Sequence, residues 1–175
     1  MELMEIIKGR RSIRRHEDKD IAIEDVKKIL EAGIWAPSGS NLQSWEFVVV
    51  LDRETIEKIK MISPGLFENP AMLIVGCINM ERAKKGGKIG YPMAVMDVSM
   101  AFQNMMLMAY SLGIGSCPVA SFNKIAIKEL LDIPDHVDPI LIVTFGYPKF
   151  WPKPPRRRPL SEVMHLDRFG RPFEE

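Results

Sequence analysis

Gly9-Arg10-Arg11-Ser12-Ile13-Arg14-Arg15 puts guanidinium groups and a hydroxyl into one short stretch. Ala36-Pro37-Ser38-Gly39-Ser40-Asn41-Leu42-Gln43-Ser44-Trp45 then runs as a polar loop into an apolar strand. A guanidinium fork matches phosphate oxygens in geometry as well as charge, so adjacent Arg and Ser donors at a helix end can seat a phosphomonoester. The second loop offers hydrogen-bond donors without added charge, as a ribityl chain and a neutral ring edge require. Together the two stretches read as a site for flavin mononucleotide (FMN).

Two further blocks complete a pattern: Gly113-Ile114-Gly115-Ser116-Cys117-Pro118, and the basic tail Arg156-Arg157-Arg158-Pro159-Leu160. With Arg10-Arg11-Ser12-Ile13-Arg14 and the Ala36–Gln43 loop, they stand in the order seen in the nitroreductase family of FMN enzymes, and the resemblance covers nearly the whole chain. It implies an α+β fold with a central mixed β-sheet flanked by helices, in an intertwined homodimer. It also implies roles for particular residues. Arg10, Arg11, Ser12 and Arg14 are similar in position to the family's phosphate and ribityl contacts, and Arg157, with Arg156 or Arg158, resembles a second phosphate anchor. Pro37, Ser38 and Gly39, with Asn41 and Gln43 nearby, match residues that reach the flavin from the partner subunit. Pro118-Val119-Ala120-Ser121 aligns with the stretch beside the ring, where a backbone N–H of Ala120 or Ser121 would face flavin N5. The chain lacks the long insertion of larger members, so a short lid or none is expected.

The mechanism implied by the resemblance is ping-pong. NAD(P)H gives hydride to the flavin and leaves, and a nitroaromatic, quinone or similar electron-poor acceptor takes its place. No catalytic side chain is named, because positioning and electrostatics suffice for such a transfer.

Composition agrees. A chain of 175 residues is most simply one domain, able to bury about 70% of the surface its unfolded form exposes. Residues 1–175 are therefore read as a single FMN-binding domain, with 148–175 as an extended C-terminal arm. The net charge of +1 makes the Arg clusters local features and argues against a globally basic nucleic-acid binder. Cys77 and Cys117 show no metal-like or Cys-x-x-Cys spacing and are expected reduced. His16, His136 and His165 share no ligand spacing, so no metal is expected, and each is read as a surface or loop residue. Acids in Met1-Glu2-Leu3-Met4-Glu5, where a secretory leader carries bases, make the cytoplasm the expected compartment. Asp97, Gln103 and Asn104 interrupt the most membrane-like stretch.

Periodicity supplies the elements. Leu3, Met4, Ile6 and Ile7 predict a first helix with Gly9 as its stop, and Ala22, Val26, Ile29, Leu30 and Gly33 a second that Pro37 follows. Trp45–Leu51, Ala71–Ile78 and Pro139–Phe145 read as strands. Asp52 and Asn123 read as caps of helices reaching Ile62 and Leu131. Met93–Leu112 is apolar nearly all round and must be covered on every side, which points to a second copy of the chain. The prolines from Pro148 to Pro159 predict an extended arm.

Other readings are open for each piece alone. The Arg stretches fit solvated turns or a nucleic-acid contact, and a flavin-binding protein without turnover, a redox sensor or store, fits the same motifs.

Overall fold

The computed structural model describes residues 1–173. Its elements in chain order are α1 (Leu3–Gly9), α2 (Ile23–Ile34), a 3-10 turn (Gly39–Asn41), β1 (Trp45–Val50), α3 (Arg53–Met61), β2 (Met72–Asn79) and α4 (Met80–Ala83). A second 3-10 stretch (Lys84–Ile89) leads into α5 (Gly90–Ser111), followed by β3 (Gly115–Val119), α6 (Lys124–Leu130), β4 (Val137–Gly146) and α7 (Leu160–Val163).

The four strands form one sheet in the order β1-β2-β4-β3, and every pair is antiparallel. The mixed character expected of the sheet is confined, among the described residues, to a parallel bridge between Ser12 and Ser116. Period-two alternation divides β2 between two layers. Met72, Ile74 and Ile78 face a core shared with α2 and α5, which includes Ile29, Val98, Phe102 and Met105. Leu73, Val75 and Cys77 face a second core with Ile56, Ile59 and Ile127 from α3 and α6. With both faces covered, β2 reads as a continuous apolar run. Gly76 interrupts it because a β-carbon there would lie 2.3 Å from the ring of Phe102.

The predicted caps are present. The Asp52 carboxylate accepts the Thr55 N–H at 2.8 Å and the Asn123 amide oxygen accepts the Ala126 N–H at 3.1 Å. The first helix ends at Gly9, as predicted, and the glycine also lets α1 approach α5 closely, since a β-carbon there would lie 2.0 Å from the Tyr110 hydroxyl. Strand β3 had no counterpart in the sequence reading. Gly115, Ser116 and Pro118 are poor strand formers, but β3 is the sheet's edge, where a residue without an N–H is tolerated.

His16 corrects an expectation. It is buried, at 5% exposure, rather than lying on the surface. Beyond β4 the chain runs without regular structure to the one-turn helix α7, which begins after Pro159. The arm is thus extended only in part, and Glu174 and Glu175 lie outside the described residues. No described helix is long and apolar enough to cross a membrane.

Candidate cofactor site

After α1, the backbone turns extended at Arg10 and runs beside β3. The Ile13 N–H donates to the Ser116 carbonyl at 2.9 Å, and the buried Ile13 side chain sits against Gly115, where a β-carbon would approach it to 2.4 Å. With Ile13 held inward, Ser12 and the arginines around it are left for the opposite side. The C-terminal arm comes back over this segment. Arg10, Arg11, Ser12 and Arg14 line a cleft of about 330 Å³ together with Pro152, Lys153, Pro155 and Arg157.

This cleft joins basic stretches near the two ends of the chain, and among the described residues no acid lines it. The guanidinium of Arg10 is held below its usual pKa by burial first, then by repulsion from Arg11 and Arg157. Such a group of like charges is unfavourable by itself and is relieved by a bound anion. The donors fit a phosphomonoester: forked guanidinium groups, one hydroxyl and one ammonium. Arg11 has a second task, because its Nη1 donates to the Lys8 and Arg10 carbonyls at 2.6 and 2.7 Å and so closes the carbonyl end of α1. Its Nε is buried without a partner among the described residues.

Of the tail's three arginines, the structure brings Arg157 to the cleft. Arg158 turns to Glu162, its Nε 3.1 Å from the carboxylate, and Arg156 does not line the cleft. Lys153 went unnoticed in sequence; the signal was a lysine among prolines a few residues before the arginine triplet.

The second loop is shaped by contacts that are distant in sequence. The Gly39 N–H donates to both oxygens of Asp97 on α5, at 3.2 and 3.3 Å, and the Gln43 N–H donates to the Ser38 hydroxyl at 3.1 Å. Ser40, Asn41 and Gln43 all have positive φ, at 52°, 54° and 48°. Pro37, Ser40, Asn41 and Gln43 are exposed, and Ser38 and Gly39 are half-buried. Within one chain this loop and the cleft do not meet. The loop is fastened at Asp97, whereas Gly9 beside the cleft rests on Tyr110, and α5 rises about 20 Å between those residues at about 1.5 Å each.

The third stretch closes the sheet edge. Pro118 and Val119 are in β3, whose last ladder pair is Val119 with Ile142, and Ala120 and Ser121 follow as exposed residues. Gly65 packs against this stretch, since a β-carbon there would lie 2.6 Å from the Ser121 hydroxyl and 2.9 Å from Val119. Phe67, two residues on, is 63% exposed. Nothing in its local sequence signalled that this loop abuts the site.

A larger cleft of about 630 Å³ lies around His16, Arg53, Glu68 and Lys149. Acids line it alongside the cations: Glu17, Asp18, Glu57 and Glu68 face Arg53, Lys60 and Lys149, with Arg53 paired to Asp18 at 3.0 Å and Lys149 to Glu68 at 3.3 Å, so it lacks the net positive charge of the first. Cys117 lies behind the arginine cleft. Burial raises its thiol pKa, with Arg14, Ser12 and Arg10 pulling the other way, and burial pushes Cys77 up to about 12. Neither is poised as a nucleophile.

The model of the nitroreductase family matches residues 7–63 and 60–147. A protein of Archaeoglobus fulgidus named as an NADH dehydrogenase/NAD(P)H nitroreductase is 38% identical over 154 residues, which cover 85% of this chain and 86% of that protein. The FMN reductase [NAD(P)H] of Bacillus subtilis is 27% identical, over 96% of this chain and 74% of its own. Among solved structures, the NADPH:FMN oxidoreductase from Vibrio harveyi complexed with NAD+ superposes with a TM-score of 0.86 at 25% identity, covering 95% of this chain and 77% of that one.

Proposed function

Because the chain belongs to the nitroreductase family of oxidoreductases, we propose that it is an FMN-dependent NAD(P)H oxidoreductase working as a homodimer, with nitroaromatics, quinones or similar electron-poor compounds as acceptors. The observation that carries this reading is the cleft uniting Arg10, Ser12 and Arg14 with Lys153 and Arg157, lined by no acid among the described residues. FMN, when bound, supplies two-electron chemistry at one open ring face, where a nicotinamide donor and an acceptor take turns.

The chain's own residues have three tasks. Arg10, Ser12, Arg14, Lys153 and Arg157 would hold the phosphate, with burial strengthening the charge-assisted bonds from Arg10. Ala120 and Ser121 lie past the last ladder pair of β3 and would offer a backbone N–H to the ring. The Ser38–Gln43 loop would offer neutral donors and acceptors to the ring edge and ribityl chain.

Two observations support a dimer. Loop and cleft lie at different ends of α5 within one chain, so a loop reaches a cleft most readily in a second copy. Large apolar side chains are also left exposed on the two packed helices: Met96 and Met100 on α5 and Ile34 and Trp35 at the end of α2 are 56%, 38%, 58% and 78% exposed. Residues with that much apolar surface favour burial against a partner.

The test is direct. The purified protein should be yellow, with flavin absorbance near one FMN per chain, and excess NADH or NADPH should bleach it without oxygen. Bleaching that adding a nitroaromatic or quinone reverses supports the enzyme. A flavin that no nicotinamide reduces would make the protein a flavin store, and a colourless protein that takes up no FMN would defeat both readings.

A further inference from the structure

Among the described residues Asp97 is the only buried carboxylate, at 3% exposure. It sits on α5, flanked in sequence by the core residues Ala94 and Val98, and the structure gives it no ion-pair partner among the described residues; burial pushes its carboxyl above the ordinary value while the Gly39 N–H pulls it back. A buried carboxylate without a cation is costly, and an apolar residue would pack this position at lower cost. What Asp97 does hold is the Gly39 N–H, 58 residues away in sequence. Gly39 also lies flat on α5, where a β-carbon would come within 2.6 Å of the Met93 methyl.

The segment so held is unfavourable on its own. Left-handed backbone is disfavoured for any residue with a β-carbon, and here Ser40, Asn41 and Gln43 adopt it within four positions. Such a conformation persists only where the surroundings over-determine it. A second fastening is present at the far end of the loop: the Arg82 guanidinium donates through Nε and Nη2 to the Leu42 carbonyl at 3.1 and 3.0 Å.

We propose that Asp97 and Arg82 form a two-point clamp that keeps the Ser38–Gln43 loop in its left-handed shape and thereby sets how tightly the ring and ribityl portion of the flavin is gripped. The proposal rests on the reading of this loop as a flavin contact. Both are positioning residues, acting through Gly39 and Leu42. The clamp is independent of the arginine cleft, so it bears equally on flavins with and without a phosphate.

Riboflavin and FMN, titrated into the full-length protein stripped of flavin and followed by flavin fluorescence, test this. D97A should weaken both ligands by the same factor, about tenfold, as expected for loss of a hydrogen bond to a charged group. D97N keeps an oxygen for the Gly39 N–H and should return affinity to within about threefold of wild type, while R82A should weaken both by about three- to fivefold. The melting temperature of D97A should not fall in step, because a buried uncompensated charge has been removed. Wild-type affinity in D97A and R82A, or equal losses in D97N and D97A, would overturn the clamp. Should D97A fail to fold, R82A decides alone, since Arg82 is exposed, and unchanged riboflavin binding there overturns the proposal. A wild-type protein that binds neither flavin removes the functional reading itself, and the clamp with it.

Discussion

Tyr110 and Trp151 meet edge to face, with ring centroids 5.1 Å apart and planes at 87°. Tyr110 is on α5 and also receives Gly9 at the end of α1, and Trp151 lies in the arm that carries Lys153 and Arg157. One residue, Tyr110, therefore holds both walls of the arginine cleft against the same helix, through Trp151 on one side and Gly9 on the other.

An edge-to-face pair contributes about 0.5–1.5 kcal/mol beyond its buried area. Trp151→Ala should release the arm and weaken FMN about two- to tenfold, with little change in riboflavin affinity. Parallel titrations of both ligands check this; equal losses for both would mean that the arm supports the ring instead of the phosphate.

Among the arginines the structure predicts a hierarchy. Arg14→Ala or Arg157→Ala removes a charge-assisted bond of about 1.5–3 kcal/mol, so FMN should bind roughly 10- to 100-fold more weakly with the fold intact. Arg158→Ala breaks a surface pair with Glu162 and should cost FMN affinity far less. Dissociation constants for the three variants decide the matter, and unchanged affinity in Arg14→Ala and Arg157→Ala would remove both from the site.

His16 carries a pH signature. Burial, chiefly, lowers its pKa below the ordinary 6.5; the Gly146 backbone and Glu68 pull it up, and Lys149 pushes it down. As pH falls through about 6.5 the unfolded chain takes up the proton first, so stability is lost on acidification until the folded-state pKa is passed. Urea unfolding of wild type and His16→Gln at pH 7.5 and 5.5 should show wild type losing more stability across that interval. Parallel losses would mean that His16 is not held neutral in the fold.

Gly76 marks a close approach in the core. A methyl group there meets Phe102 at 2.3 Å and Val98 at 2.9 Å, and overpacking of this kind costs about 1–3 kcal/mol. Gly76→Ala should lower the unfolding free energy by that amount while leaving the FMN affinity of the folded protein unchanged. Stability equal to wild type would show that Phe102 can shift freely.

Much of the fold was legible because its signals are local. The 3.6-residue period of Val26, Ile29 and Gly33, the caps at Asp52 and Asn123, and the apolar run from Ala71 to Ile78 each report on their own neighbourhood. Strand β3 escaped because its strand character comes from pairing with β4 and from Ser12 alongside, whereas Gly115, Ser116 and Pro118 have little propensity of their own. Likewise, Asp97 reads in sequence as a polar interruption of an apolar helix. Its meaning lies in Gly39, and no window of a few turns contains both residues. The charge of the arginine stretches was visible at once, but which of Arg156, Arg157 and Arg158 turns inward depends on the path of the arm and on Glu162.

The central claim is that basic residues from both ends of the chain converge on the phosphate of FMN, and the preference of the full-length protein for FMN over riboflavin measures it most directly. Two or more charge-assisted contacts at about 1.5–3 kcal/mol each predict a preference of at least about 100-fold. Equal affinity for the two flavins would contradict the account.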